Sequence, residues 1–411
     1  MIAWLRELTA KERRTLVAAT GGWATDSLDV MVFVYVVPTL MLMWGMSKVE
    51  AGWITTATVI SSAVGGWLAG VLADRFGRVL ILQVTIVWFA FFTFLCGFTN
   101  SFEQLLVMRA LQGLGFGGEW AVGSVLIGEM IRPHHRGKAV GTMQSGWAIG
   151  WAGANLLFLL LYSILPAEWA WRAMFWAGIL PALLVFYVRR HVKEPEVYSA
   201  TRQVVRERGS HFLEIFSPPL LRTTVLASLM ITGMMAGYFA VFFWLPTFLQ
   251  TERGLSVLNT GLYTFVIIFG SFMGYLGAAY LSDYLGRRKT FTVFAVGSAT
   301  IAILYTQIPI TDTMMLFLGF PLGFFVSGNF SGCGPFLTEL YPSRVRGSGQ
   351  GFVYNLGRGL SAFATPLVGY LSTSMTLGKA IGIVAIVGFA VVIVAVSLLP
   401  ETRGKVLEVY D

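Results

Sequence analysis

Charge is what this sequence has least of. Only 12% of its 411 residues are Asp, Glu, Lys or Arg, while 56% are hydrophobic. Soluble domains carry roughly 25% charged residues, so a soluble globular chain is excluded. Cysteine is nearly absent too: Cys96 and Cys333 each lie inside an apolar run, which excludes a disulfide framework. The four histidines (His134, His135, His191 and His211) show no metal-ligand spacing, so neither a metal nor a cofactor is expected. A cleavable signal peptide is not expected either. The opening MIAWLRELTAKERR is basic and amphipathic, and the first apolar run is too long for an h-region and lacks an A-x-A site. No nucleophile with a base, and no cofactor loop, points to an enzyme.

What fills the chain instead is a series of long apolar runs separated by short charged islands, the pattern of a helical membrane protein. Twelve spans are predicted, at 16–43, 51–73, 80–99, 104–131, 139–163, 171–188, 222–250, 258–282, 290–310, 313–341, 348–374 and 379–399. The expected class is therefore an all-α membrane protein whose main partner is the lipid bilayer. Of the 29 basic residues, 23 fall in the termini and one set of loops, 4 in the opposite loops and 2, Arg109 and Arg358, within spans. That asymmetry puts both termini in the cytoplasm. It also accounts for the net charge of +8 without nucleic acid as a partner. The compact chain, with no glycosylation sequon in its outer loops, suits a bacterial inner membrane.

The sequence repeats itself. GVLADRFGR (Gly70–Arg78) recurs as AYLSDYLGRR (Ala279–Arg288), and GEMIRPHHRG (Gly128–Gly137) as TELYPSRVRG (Thr338–Gly347). The pair Pro38-Thr39 recurs as Pro246-Thr247. The offsets are 209, 210 and 208 residues, so two six-helix halves are expected. Residues 1–188 form the first, 189–221 a charged cytoplasmic linker, and 222–411 the second with a short tail. Parallel repeats with a substrate site between them are a transporter architecture.

The repeated loops carry acids and arginines at fixed spacing, suited to latching one conformation. The expected gating set is Gly70, Asp74, Arg75, Gly77, Arg78, Glu129 and Arg136 in the first half. Asp283, Arg287, Glu339 and Arg346 stand at the matching places in the second. With this loop the chain resembles the major facilitator superfamily, whose signature it is. Further likenesses are RALQGLGFGGEW (Arg109–Trp120), NLGRGLSAFATP (Asn355–Pro366) and PETRG (Pro400–Gly404). With DSLD in span 1 the chain resembles the sialate:proton and aromatic-acid:proton symporters. Those branches usually read Asp-Gly-Phe-Asp there; Ser27 and Leu28 stand between the acids here. The resemblance implies twelve helices, a monomer and alternating access. GLGFGG also fits a dinucleotide fingerprint, but it lies inside an apolar helix, where glycines serve close packing.

An ionised Asp at a span centre costs roughly 2.5–3.5 kcal/mol, so Asp26 and Asp29 in span 1 demand a function or a partner. They are three residues apart and share a helix face. Asp29 is the expected proton carrier and Arg109 of span 4 its switchable partner, a pairing that the resemblance also implies. Glu119, deeper in span 4, is expected to join the proton path with Asp26; its equivalent in the second half is Asn329. Arg358 stands alone in span 11, with no acid at its depth in spans 7, 8, 10 or 11. It is expected to face an aqueous cavity and grip a carboxylate bidentately. Asn355, Tyr354 and Gln144 are expected to add hydrogen bonds, with Asn155, Tyr238, Trp147 and Trp244 as weaker candidates. The reading is a proton-coupled importer of a small organic anion: a monocarboxylate, sialate or aromatic acid. A proton-driven exporter and a carrier of neutral metabolites on the same fold are the alternatives. Span 5 has glycines but no proline, against export, and a receptor would need a signalling domain that the short linker and tails do not supply.

Overall fold

Helices begin where the sequence offers caps. Thr9 and Glu12 form a reciprocal capping box, as do Ser47 and Glu50, satisfying otherwise orphaned N–H groups at two helix starts. A computed structural model describes residues 3–130, 133–180, 182–183, 212–342 and 345–403, and among these residues there is no strand. After a short helix α1 (Ala3–Glu7) come α2 (Ala10–Trp44), α3 (Lys48–Phe76), α4 (Arg78–Cys96), α5 (Phe102–Met130) and α6 (Pro133–Ile164). Helix α7 (Ala167–Ala177) opens the sixth expected span; residues 181 and 184–211, which include the end of that span and most of the expected linker, lie outside the described residues. The second half holds α8 (Pro218–Thr251), α9 (Val257–Leu285) and α10 (Arg287–Thr306). It continues with α11 (Asp312–Gly328), α12 (Cys333–Leu340), α13 (Arg346–Ser361), α14 (Ala364–Leu371) and α15 (Leu377–Leu398). Among the described residues, eight stretches are long and apolar enough to cross a membrane.

Two expected spans are broken, each near a proline. A 3-10 turn, Asn329–Gly332, separates α11 from α12 and ends three residues before Pro335. Ser361 ends α13, and Pro366 follows in α14. A proline removes one N–H and pushes aside the carbonyl four residues back, here that of Ala362. The freed carbonyl accepts from Thr56 Oγ1 of α3, in the other half, at 2.8 Å.

The repeat is visible in the packing. In the first half α3 lies against α5 so closely that a Cβ on Gly65 would come within 2.0 Å of the Leu114 carbonyl, and one on Gly113 within 2.3 Å of that of Thr58. In the second half α9 and α11 do the same, with Gly274 at 2.2 Å from the Phe324 carbonyl and Gly323 at 1.9 Å from that of Ile267. These pairs are 209 and 210 residues apart, so small residues let matching helices touch backbone to backbone in both halves. The glycines of the repeated loop match as well: Gly77 and Gly286 have φ of 111° and 94°, and each turns the chain from one helix into the next.

On the membrane face away from the termini the halves are sealed. Thr365 Oγ1 donates to the Gly52 carbonyl at 3.2 Å, and Asn155 Nδ2 to that of Gly261 at 2.8 Å. A Cβ on Gly52 would meet Pro366 at 2.5 Å.

Candidate functional site

Because α2 packs against both α5 and α6, the face of α2 bearing Asp29 is enclosed by its own half. Both Asp26 and Asp29 are 0% exposed. Three donors converge on the Asp29 carboxylate. Arg109 Nη1 of α5 lies 3.2 Å from Oδ2. Gln112 Nε2, one turn further along α5, donates to the same oxygen, and Thr93 Oγ1 of α4 donates to Oδ1. The Arg109 guanidinium also stacks over Phe33, 4.9 Å from the ring centroid. The expected Asp29–Arg109 pair is thus formed. Gln112 and Thr93 were not foreseen. The three-residue step from Arg109 to Gln112 places both on one helix face, a signal that could have found Gln112; nothing in the sequence marks Thr93.

Beside this pair, between the halves, is a cavity of about 70 Å³. Its wall is aromatic: Phe33, Phe116, Trp147, Tyr238, Phe243 and Phe330 are among the lining side chains. Among the described residues, the charged ones on the wall are both cations, Arg109 and Arg358. Arg109 is taken up by Asp29. Arg358, 5% exposed, makes no ion pair within 4 Å among the described residues; its guanidinium stacks on Phe116 of the other half at 4.4 Å. Among the described residues, Asp26 is an acid that acts on Arg358 through its charge. Tyr354, Gln144 and Tyr238 also line the cavity. The indole N–H of Trp147 donates to Tyr238 Oη at 2.6 Å, joining the halves across the cavity wall.

Three expected ligands are placed elsewhere. Asn355 Nδ2 turns back to the Gly351 carbonyl of its own helix at 2.9 Å. Asn155 serves the seal, because its donor reaches a backbone carbonyl of the opposite half. Trp244 donates to the Thr365 carbonyl at 3.1 Å, supporting the α13–α14 break. Tyr275, on the cavity wall, was not among the expected residues.

Of the residues expected to form a gate in the second half, Arg287 and Glu339 are described and paired. Arg287 grips Glu339 bidentately, Nε to Oε2 at 3.2 Å and Nη2 to Oε1 at 2.9 Å. Thr402 Oγ1 of the tail donates to Glu339 Oε2 at 2.5 Å. Glu401, in the PETRG segment, accepts from the Arg287 and Arg288 N–H groups at the start of α10, at 2.9 and 3.1 Å. Partial burial pushes the Glu401 carboxyl up, but backbone N–H groups of Arg287, Arg288, Arg403 and Thr402 outweigh it and hold it below the ordinary value. The side chains of Asp74, Arg75, Arg78, Glu119, Glu129, Arg136, Asp283 and Arg346, and Gly70 with them, lie outside the described residues.

Comparison with known proteins agrees with this architecture. The family model of the Major Facilitator Superfamily matches residues 20–311 and 270–409. The chain is 42% identical over 408 residues to a probable 4-methylmuconolactone transporter of Cupriavidus pinatubonensis, covering 99% of this chain and 95% of that one. It is 29% identical over 420 residues to the niacin transporter NiaP of Acinetobacter baylyi, covering 94% and 93%. Among solved structures, a D-xylose-proton symporter superposes with a TM-score of 0.77 at 21% identity, covering 96% of this chain and 99% of that one.

Proposed function

The chain belongs to the Major Facilitator Superfamily, and on that premise we propose that it imports a small planar organic acid together with protons, by alternating access. The observation that carries the reading is Arg358: a cation buried in an aromatic cavity, without an ion pair among the described residues, beside a second cation already neutralised by Asp29. A carboxylate supplies the missing charge, and the flat aromatic wall suits an unsaturated ring. The relatives are named for 4-methylmuconolactone and niacin, small unsaturated-ring acids, which supports the same class.

In this reading Asp29 carries the proton. Ionised, it holds Arg109; protonated, it accepts less strongly and releases the guanidinium, which biases the halves toward the other access state. Asp26 lies one turn from Asp29 on the same helix and acts on Arg358 through its charge, and Glu119 is its proposed companion. Arg358 takes the substrate carboxylate, with Tyr354, Gln144 and Tyr238 offering hydrogen bonds. Arg287 and Glu339 latch the second half, and their counterparts latch the first. The membrane is the bacterial inner membrane, with both termini in the cytoplasm, as the basic loops and the bacterial relatives support.

The test is uptake into proteoliposomes of labelled acids (niacin, benzoate, hydroxybenzoate, 4-methylmuconolactone, lactate and sialate) with and without an inward proton gradient. Accumulation of a ring acid that requires the gradient and collapses with a protonophore is the expected result. Accumulation without a gradient, or export of organic cations instead, overturns the reading. In Asp29→Asn, gradient-driven accumulation is lost while substrate exchange across the membrane persists.

A further inference from the structure

We infer that Gln112 is a positioning residue of the proton site, a buried amide that serves Asp29 in both protonation states by turning over. The inference rests on Asp29 as proton carrier and concerns what holds that carboxyl once the proton has arrived.

Gln112 is 0% exposed, and its Nε2 donates to Asp29 Oδ2. Its own Oε1 is buried and has no hydrogen-bond partner among the described residues. A buried carbonyl oxygen left unpaired is costly. In the ionised state the arrangement is nonetheless the best one available, because a carboxylate only accepts and every partner must donate. Protonation inverts the requirement. Asp29 then carries a buried O–H that needs an acceptor. Arg109 cannot provide one, since a guanidinium has donors alone. A half-turn of the Gln112 amide can: it exchanges Nε2 for Oε1 at the same place, and the proton gains an acceptor without displacing any helix.

Thr93 behaves in the same way. Its hydroxyl lies within reach of both Asp29 Oδ1 and the Phe89 carbonyl, the latter at 2.8 Å. One hydroxyl hydrogen serves only one of them at a time. Donating to Phe89 leaves the Thr93 oxygen free to accept. Either Gln112, with the proton on Oδ2, or Thr93, with it on Oδ1, can therefore accept the single O–H, whereas Arg109 can only be dismissed by it. Protonation thereby acts on Arg109 specifically instead of dissolving the whole site.

The remaining ionisable groups near this carboxyl do not duplicate the role. Cys96 of α4 is buried near both Asp29 and Arg109, and a thiol is a weak donor and acceptor. Asp26 lies on the same helix, and the side chain of Glu119 on α5 lies outside the described residues. Glu103 is at the exposed start of α5. Tyr162 of α6 is bonded to Thr39, Arg172 of α7 to the Gly97 and Thr99 carbonyls, and Tyr238 of α8 to Trp147. Lys48 and Glu50 of α3 sit at its far end, where Glu50 caps Ser47.

The experiment is pH-difference infrared spectroscopy on the reconstituted protein, paired with gradient-driven uptake, in the wild type, Asp29→Asn, Gln112→Leu and Gln112→Met. Methionine keeps the shape of glutamine and serves where leucine disturbs folding. In the wild type a protonated-carboxyl band and a side-chain amide band change together with one midpoint, and both changes vanish in Asp29→Asn. In the Gln112 variants the amide change is absent. The carboxyl band remains, with its midpoint moved to higher pH by about one unit, about tenfold in proton affinity, because the ionised form loses the stronger bond. Two results overturn the inference while leaving Asp29 as carrier: a carboxyl band that titrates in the wild type without an amide change, or Gln112 variants with an unmoved midpoint and undiminished uptake. If Asp29→Asn keeps both the band and the accumulation, the reading of Asp29 itself fails, and the role of Gln112 falls with it.

Discussion

Charge in this protein is placed one residue at a time, and each placement has a distinct chemical reason. Arg109 and Arg358 are both guanidiniums in the membrane-spanning part, yet one meets an acid and the other an aromatic face. Lysine keeps the charge of Arg358 but not the planar stack on Phe116 or the two-pronged grip. Arg358→Lys is therefore expected to weaken substrate binding by about 10-fold or more, the loss of one charge-assisted hydrogen bond. The check is KM for uptake, or binding of the labelled acid to purified protein; unchanged affinity across a series of acids rules out the bidentate grip. The bond between Trp147 and Tyr238 carries a second prediction. Tyr238→Phe leaves the buried indole N–H without its acceptor, at a cost of about 1–3 kcal/mol, and loosens one link between the halves. A lower melting temperature together with altered exchange rates is the expected outcome.

At the scale of helices, glycine decides how near two spans can come. Gly113 and Gly323 face the backbone carbonyls of Thr58 in α3 and Ile267 in α9, at 2.3 and 1.9 Å from an added Cβ, and these cannot rotate away as the Ser61 hydroxyl near Gly113 can. Gly113→Val or Gly323→Val forces the helices apart, and overpacking of this kind costs typically about 1–3 kcal/mol. Thermal unfolding in detergent measures it, and equal losses at the two positions reflect their equivalence in the repeat. The tail offers a pH-dependent prediction. The Glu401 carboxyl is held below its ordinary value of 4.5 in the folded protein. Its contribution to stability is complete above that value and is lost as the pH falls through the folded value. The difference in melting temperature between wild type and Glu401→Gln is therefore constant above about pH 4.5 and shrinks below it. A difference that grows on acidification contradicts the proposed latch of tail to α10.

For the whole molecule the decisive feature is which face is shut. Away from the termini the halves meet backbone to backbone at Gly52 and Gly369, and side chain to carbonyl at Thr56, Asn155 and Thr365. Alternating access requires that these contacts break once per cycle. Lys48 and Gly369 face one another there; a Cβ on Gly369 would lie 2.7 Å from the Lys48 carbonyl. A double variant, Lys48→Cys with Gly369→Cys, is expected to lose transport when oxidised and regain it on reduction. Cys96 and Cys333 are buried and give little background. Undiminished transport by the cross-linked protein would mean that this seal does not open.

The helical, membrane-spanning class was legible because it rests on local composition, and the duplication is expected from a period that survives in one dimension. Long apolar runs satisfy the backbone only as helices in lipid, and Gly-Arg loops repeated at one offset mark the two halves. The Asp29–Arg109 pair was legible for the related reason that an isolated buried charge demands an opposite one at its depth. What only the tertiary structure decided is direction. Whether Asn155 points into the cavity or across the seal, whether Asn355 reaches a ligand or its own helix, and which neighbours close on Asp29 depend on helix rotation about its axis. Rotation is set by the packing of glycine against carbonyl between segments dozens of residues apart, or more. Sequence fixes which polar groups must find partners; the fold chooses the partners, because a hydrogen bond forms only where two backbones have already been brought together.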